Sequence, residues 1–178
     1  TKMIENYERY LQLKPNGKRS AQVKLILAQY YIRVGLMQQQ VDLLNKAEEY
    51  LKTLDQNDSN VRMALGAIYL NKQNYDQAIA AFERSANLIP SELKLKYNSL
   101  GLAYIKKKSY GKAEALLRIA VEIDPSDKYA HNNLGYVYAQ TGKYIEAREQ
   151  FRQALIIDPN YHNAEKNLKW VDEKIGGK

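Results

Sequence analysis

An internal repeat of 34 residues is the feature that most limits what this chain can fold into. Residues 94–127 and 128–161 have this length and follow each other without a gap. In register they share the pairs Leu100/Leu134, Gly101/Gly135, Tyr104/Tyr138, Tyr110/Tyr144, Ala113/Ala147, Ala120/Ala154 and Pro125/Pro159. Residues 59–92 repeat the pattern with Leu65, Gly66, Tyr69, Tyr75, Ala78, Phe82 and Pro90. Self-similarity at this period predicts stacked units, each too small to bury its apolar face alone.

The positions within each unit predict two antiparallel helices. Leu65, Leu100 and Leu134 are each followed four residues later by Tyr, which is the spacing of one helix face. Gly inside a helix costs about 1 kcal/mol relative to Ala, so the repeated Gly predicts a close approach of two helices. The repeated Pro predicts the end of the second helix and the turn into the next unit.

This pattern resembles the tetratricopeptide repeat (TPR) family. The period and the Leu-Gly, Tyr, Ala, Phe and Pro spacing are the signature of that family. The resemblance implies an all-α fold, a right-handed superhelical α-solenoid of stacked helix–turn–helix units.

Three flanking segments complete the predicted organisation as one continuous domain. Residues 21–54 match as a degenerate repeat, and the extra residues 55–58 predict that its second helix runs about one turn longer. Residues 162–175 are predicted to form a C-terminal capping helix. Residues 1–15 match the second helix of a truncated repeat. A missing first helix would leave Met3, Ile4, Tyr7 and Leu11 without packing, which predicts either an upstream repeat in a longer protein or an edge that pairs with a second copy. These four residues are identified by aligning residues 1–15 with the second helix of the later repeats.

Composition argues against an enzyme. The chain has no Cys and two His residues, which excludes disulfides, thiolate zinc sites and a Cys nucleophile. Neither His131 nor His162 has a metal-ligand partner at helical spacing, and both are interpreted as structural. There is no P-loop and no G-x-G-x-x-G motif. We therefore expect no catalytic residue, no metal and no cofactor.

The positive charge is spread along the chain. Lys plus Arg number 27 and Asp plus Glu number 20, for a net charge of +7. The one local excess is the run 106–108, which is typical of a solvated helix end. Because there is no broad basic stripe, we do not expect nucleic-acid binding. No stretch is long and apolar enough to predict a membrane span. The lack of Cys suits cytosol and periplasm alike, and we favour the cytoplasm.

In the TPR resemblance, the first helices line a concave groove that holds the partner. Inward positions are counted from the repeated Gly and along the capping helix, and they include Ile105, Ala139, Gln140 and Lys166. From them we select the candidate partner-binding residues Gln29, Arg33, Met63, Asn98, Leu102, Lys106, Tyr129, Asn132, Asn133, Tyr136, Asn163, Asn167 and Trp170. The Asn residues have two interpretations: they hold an extended peptide backbone, as in related proteins with Asn ladders, or they only solvate the groove.

The groove lacks the residues of a chaperone-binding clamp. Relatives that grip the carboxylate-ended tails of heat-shock chaperones use Lys, Asn, Asn, Lys and Arg. Here the corresponding positions hold Met63, Ala67, Ser99, Tyr129 and Asn133. The predicted function is a non-enzymatic scaffold that binds a peptide or helical segment of a partner protein. The alternatives are a self-assembling segment of a larger complex and an RNA-binding helical array.

Overall fold

The structure is a computed structural model that describes residues 2–85 and 90–177 of the chain, with the backbone alone at Pro90. These residues form ten α-helices and no strand. The helices are α1 (Lys2–Leu13), α2 (Ser20–Gln38), α3 (Val41–Lys52), α4 (Ser59–Asn71), α5 (Tyr75–Arg84), α6 (Pro90–Lys106), α7 (Tyr110–Ile123), α8 (Lys128–Gln140), α9 (Tyr144–Ile157) and α10 (His162–Gly176). The all-α prediction is confirmed.

The described residues divide into two compact units. Unit 1 contains α1–α5 and unit 2 contains α6–α10. In both units consecutive helices pack as hairpins, α2 with α3 and α4 with α5 in unit 1, α6 with α7 and α8 with α9 in unit 2. That the two units form one continuous domain stays a prediction.

In unit 1 a single apolar core joins α1 to the helices that follow it. Ile4 and Leu11 are buried, and Tyr7 packs against the same core. The expectation that this face of α1 lacks packing is therefore wrong for these three residues, and only Met3 of the predicted set is exposed. The Glu8 carboxylate accepts hydrogen bonds from Tyr31 of α2 and Lys46 of α3, which adds a polar link between the three helices.

In unit 2 the core follows the repeat. Leu117 of α7 packs with Leu134 and Val137 of α8, and Phe151 of α9 packs with Val171 of α10. Helix α10, which the sequence predicts as a capping helix, contacts both helices of the preceding hairpin. Ala164 and Val171 of this helix are fully buried, and Leu168 and Ile175 are partly buried.

The repeated Gly marks a close approach of the two helices in the hairpins α4–α5, α6–α7 and α8–α9. A Cβ added at Gly101 would lie 2.5 Å from Cγ of Leu117. At Gly66 it would lie 2.5 Å from the ring of Phe82, and at Gly135 2.8 Å from the ring of Phe151. Real Cβ contacts are longer, so a side chain at these positions would push the two helices apart.

The Asp-Pro turns end the second helices of unit 2 as predicted. Asp124 and Asp158 are the C-terminal caps of α7 and α9. The Asp124 carboxylate accepts the backbone N–H of Ser126 at 2.9 Å and pairs with Lys94 on the first helix of the same hairpin. Asp158 repeats the arrangement with Asn160 and Lys128. The acidic residue therefore ties both ends of the hairpin together.

Two predicted helix ends are wrong. Helix α3 ends at Lys52, and the extra residues extend the loop instead, where Asp55 accepts the backbone N–H of Asn57 at 2.8 Å. Asp and Asn favour such local bonds over helix continuation. Pro90 does not end a helix, because α5 ends at Arg84 and Pro90 is the first residue of α6. A first-turn Pro is stable because its missing N–H has no partner there in any case. Residues 86–89 lie outside the described residues.

We expect Gly101→Ala to destabilise the chain. Overpacking a core costs about 1–3 kcal/mol, while the helix propensity gained is about 1 kcal/mol, so we expect a net loss of up to about 2 kcal/mol. Gly111→Ala in α7 is the matched control, because an added Cβ there meets nothing within 4 Å. Urea unfolding followed by circular dichroism measures both variants. Equal stabilisation by the two substitutions would contradict the close approach.

We expect the charge of Asp124 to stabilise unit 2 only above acidic pH. The hydrogen bond from Lys94, helped by Ser126, lowers the pKa of Asp124 from 3.8 to about 2. A lowered folded-state pKa adds stability that is complete above the unfolded value and is lost as pH falls through the folded value.

Asp124→Asn should therefore lower the melting temperature at pH 7 by roughly 1–3 °C, because exposed ion pairs are weak. The difference from the parent should shrink between pH 4 and pH 2. The control Asp172→Asn removes an exposed carboxylate of α10. A pH-independent difference for Asp124→Asn in melting curves would exclude the ionic contribution.

Candidate functional site

The first helices of unit 2 lie side by side. Helix α8 contacts α6 on one side and α10 on the other. The Asn133 side chain donates Nδ2–H to Oδ1 of Asn98 at 2.9 Å, and Asn167 donates to Oδ1 of Asn132 at 3.0 Å. These two bonds place the four predicted Asn residues on one shared face, which we call the amide face.

The Asn side chains form hydrogen bonds with each other, so only part of their hydrogen-bonding capacity is available to a ligand. Asn132 is only 8% exposed, so its side chain has a structural role between α8 and α10. An Asn side chain carries one acceptor oxygen and two N–H donors, so each pair leaves donors and an acceptor for a ligand. The fifth predicted residue, Asn163, is exposed and stands beside the Tyr161 hydroxyl instead of joining a pair.

Two cavities open on either side of Tyr136. The larger, of about 370 Å³, is lined by Leu102, Ile105, Lys106, Lys108, Tyr110, Asn132, Asn133 and Tyr136. The smaller, of about 200 Å³, is lined by Tyr136, Ala139, Gln140, Phe151, Lys166, Asn167 and Trp170. Tyr136 is 36% exposed and forms a wall of both. The predicted residues Leu102, Lys106 and Trp170 are thus brought together with the amide face.

Trp170 forms the outer wall of the smaller cavity. Its ring meets Tyr144 of α9 edge-on at 6.1 Å, and the Lys174 ammonium lies 5.5 Å from the indole centroid. These contacts fix one side of the ring, while 41% of the residue stays exposed. The ring is therefore held in place with a free surface.

A third cavity lies at the other end of the amide face. It measures about 630 Å³ and includes Leu95, Asn98 and Tyr129 among the residues that line it. Tyr129 is exposed and meets Tyr161 edge-on at 5.5 Å, with the Lys128 ammonium close to both rings. The predicted Tyr129 therefore lies near Asn98 and apart from Trp170.

Two sets of lysines in unit 2 differ in their partners. Lys94, Lys128 and Lys143 each pair with a carboxylate, of Asp124, Asp158 and Glu114 respectively. The hydrogen bond to Asp158 raises the pKa of Lys128, and the same bond lowers the pKa of Asp158. By contrast, Lys106, Lys108 and Lys166 line the two cavities and form no ion pair within the described residues.

The remaining predicted residues lie in unit 1. Gln29 and Arg33 are exposed on α2, and the Arg33 guanidinium lies 5.9 Å from the Tyr30 ring centroid. Met63 on α4 is half-buried and its sulfur accepts a hydrogen bond from Ser85 Oγ at 3.5 Å. Met63 is thus partly engaged in packing, and the two α2 residues are open to solvent.

His131 is buried and fully engaged. Its Nε2 donates to the carbonyl of Pro125 at 3.0 Å, and its Nδ1 pairs with the Gln150 side chain at 2.8 Å. His131 of α8 thereby links the turn after α7 to α9.

Within residues 2–85 and 90–177 no group of three or more His, Asp or Glu could hold a metal ion. Across the same residues, no helix has the length and apolar character needed to cross a bilayer.

Three residues that line the two cavities beside Tyr136 lie outside the inward positions counted from the repeat, namely Lys108, Tyr110 and Phe151. Lys108 ends the basic run and has a left-handed backbone (φ 58°), which brings it to the mouth of the larger cavity. Tyr110 and Phe151 occupy repeat positions whose pattern signals only packing. Of these three residues, only Lys108 carried a sequence signal other than packing, as part of the basic run 106–108.

The sequence matches known families and one curated protein. Residues 59–92 and 128–161 match the Tetratricopeptide repeat family, and residues 101–142 match the TPR repeat. The chain is 33% identical over 119 residues to Cilia- and flagella-associated protein 70 of Homo sapiens, across 64% of this chain and 10% of that protein. The chain therefore spans about a tenth of the length of that relative.

Solved structures of similar fold are numerous. MamA is 26% identical with a TM-score of 0.70, covering 88% of this chain and 86% of MamA. The APC/C Cut9–Hcn1 structure gives a TM-score of 0.72 at 21% identity, over 92% of this chain and 34% of the matched chain. The first TPR of Spaghetti (RPAP3), bound to an HSP90 peptide, gives 0.62 at 22% identity, over 68% and 96%. The two structures below 25% identity show the fold alone.

The repeat, the helical hairpins closed on Gly and the family matches agree, and the chain belongs to the tetratricopeptide repeat family.

Proposed function

We propose that this chain is a non-enzymatic protein–protein interaction scaffold and that unit 2 binds a peptide segment of a partner protein across the amide face. The proposed contacts are Asn98, Leu102, Lys106, Tyr129, Asn132, Asn133, Tyr136, Asn163, Asn167 and Trp170. The observation that carries the proposal is the pair of cavities divided by the exposed ring of Tyr136.

Aromatic side chains with a fixed position and an exposed surface are the usual energetic centres of a protein interface. Tyr136 and Trp170 are partly exposed on neighbouring helices, and Trp170 is also held by Tyr144. The paired amides around them offer donors and an acceptor at intervals, which suits an extended backbone whose own N–H and C=O groups need partners. Apolar cavities with a few polar groups are the common form of a binding site.

Relatives of the same fold support peptide binding in general. The first TPR of RPAP3 was solved with an HSP90 peptide, and its second TPR domain with an HSP70 peptide. These two RPAP3 domains share the fold of this chain. The clamp positions here hold Met63 and Ala67 in unit 1 and Tyr129 and Asn133 in unit 2, so we do not propose a chaperone tail as the partner.

Unit 1 carries its own proposed contacts, Gln29, Arg33 and Met63. Their support is weaker, because Met63 is engaged with Ser85.

The alternative of self-assembly through α1 also has little support, since Ile4 and Leu11 are buried in the core of unit 1. RNA binding is disfavoured because three lysines of unit 2 are already paired with carboxylates.

The proposal is tested with a random peptide library displayed on phage and selected against this chain. Peptides recovered from it should bind Tyr136→Ala at least about tenfold more weakly than the parent, because an interface aromatic contributes about 1.4 kcal/mol or more. Isothermal titration calorimetry measures the affinities, and circular dichroism checks that the helices are intact.

Ile156→Ala is the matched control. Ile156 is the more exposed residue, at 71%, and lies on the second helix α9. Peptides that bind Tyr136→Ala as tightly as the parent, or that are lost equally with Ile156→Ala, would show that binding lies elsewhere.

We expect the chain to sediment as a monomer over a wide concentration range. The reason is that the apolar face of α1 is already covered by its own unit. Sedimentation equilibrium checks this, and a concentration-dependent dimer that Met3→Glu dissolves would instead support assembly through α1, where Met3 is 56% exposed.

A further inference from the structure

From the two cavities beside Tyr136 we infer that the partner segment is acidic, extended and anchored by one apolar side chain. The apolar side chain occupies the smaller cavity. Carboxylates of the segment on either side of it form ion pairs with Lys166 and with Lys106 and Lys108. This inference rests on the proposed function, because it names the chemistry of the segment that the amide face binds.

The smaller cavity has the size and walls for one apolar side chain. Its volume is about 200 Å³, and the rings of Tyr136, Phe151 and Trp170 line it together with Ala139. An apolar cavity of about 150 Å³ is enough to hold benzene, so a leucine or phenylalanine side chain fits. Gln140, Asn167 and Lys166 supply the polar atoms of the lining.

The charge around both cavities has one sign. Lys106 and Lys108 line the larger and Lys166 lines the smaller, and the described lining of both contains no acidic residue. Three other lysines of unit 2, Lys94, Lys128 and Lys143, are instead paired with carboxylates at short range. Cations left without a counter-charge beside an apolar cavity attract and orient an anionic partner.

The geometry also favours an extended segment. Tyr136 borders both cavities, so a ligand that fills the smaller one and reaches the lysines of the larger one must cross this ring. Asn132 and Asn133 lie on one side of the crossing and Asn167 on the other. Their remaining amide groups can bond the backbone of the segment on both sides. A nucleic acid offers the negative charge but no aliphatic side chain for the smaller cavity, so a peptide matches the site better.

The single Trp of the chain gives a direct readout. Trp170 is 41% exposed at the rim of the smaller cavity, so filling that cavity should shift its emission to the blue. The probe is an acetylated, amidated nonapeptide with a central leucine, two glutamates on each side and glycines at the ends. Amidation removes the terminal carboxylate, so a clamp for a free chain end cannot account for its binding.

We expect this peptide to bind at low salt with a blue shift of Trp170. A version with glutamine in place of every glutamate should bind at least about tenfold more weakly, and binding of the acidic version should weaken with added salt. A version with central alanine should also lose about tenfold or more, because the leucine side chain is no longer buried.

Variants of the chain test the lysines. Lys166→Gln should weaken the acidic peptide about twofold to fivefold, the range for one exposed charge contact. Lys169→Gln removes the same charge from the same helix at an exposed position outside the described lining of the two cavities, and should leave affinity unchanged. The triple variant Lys106→Gln, Lys108→Gln, Lys166→Gln should bind the acidic and the glutamine peptide equally.

Several outcomes would overturn the inference. Equal binding of the acidic and glutamine peptides would reject the charge, and equal binding of the leucine and alanine peptides would reject the anchor. A larger Trp170 shift with single-stranded oligouridylate than with the acidic peptide would make the occupant a nucleic acid. If only non-acidic peptides from the phage library bind and depend on Tyr136, the inference fails and the proposed function stands. If no library peptide depends on Tyr136, the proposed function fails too.

Discussion

The contact between a helical Gly and a large buried side chain on the paired helix determines the rest of this structure. Gly101 lies against Leu117, and Gly135 lies against the ring of Phe151, at distances that leave no room for a methyl group. This contact draws the two helices of a hairpin together and buries the apolar stripe of each. The apolar stripe packs inside each hairpin and against the neighbouring hairpin. The opposite face of the first helices therefore contributes little to core packing. The exposed ring of Tyr136 and the surface of Trp170 can lie on that face without loss of core packing.

The charged residues likewise divide into some that stabilise the fold and some that border the cavities. At the hairpin ends, lysine and aspartate recur in the repeat and hold each other, as Lys94 does with Asp124 and Lys128 with Asp158. By contrast, Lys106, Lys108 and Lys166 form no ion pair within the described residues and border the two cavities beside Tyr136. A modestly basic chain therefore contains one group of cations that stabilises the fold and another that remains available to a ligand. Net charge alone could not separate the two groups.

Much of the fold could be predicted from the sequence, because the repeat reports the packing directly. The helical Gly predicted the close approach, and Asp-Pro predicted the ends of α7 and α9. The failures occur where the pattern is broken. The residues after Lys52 extend a loop because Asp55 bonds the local backbone, and Pro90 starts α6 because a first-turn Pro has no N–H to lose. The site was less predictable. Counting positions found Tyr136 and Trp170, but the pairing of Asn132 with Asn167 depends on which atoms meet between helices, and spacing alone does not contain that information.

The two amide pairs join residues that are 35 positions apart, one more than the length of the repeat. Each pair therefore links the third residue before the Gly of one unit to the second residue before the corresponding position of the next. Excision of residues 128–161 as a whole would remove Asn132 and Asn133 together and bring Asn98 opposite Asn167. The shortened chain would keep an amide pair of the same kind at the new junction. The hydrogen bonding of this face is thus modular, and gain or loss of a complete unit changes its length while preserving its chemistry.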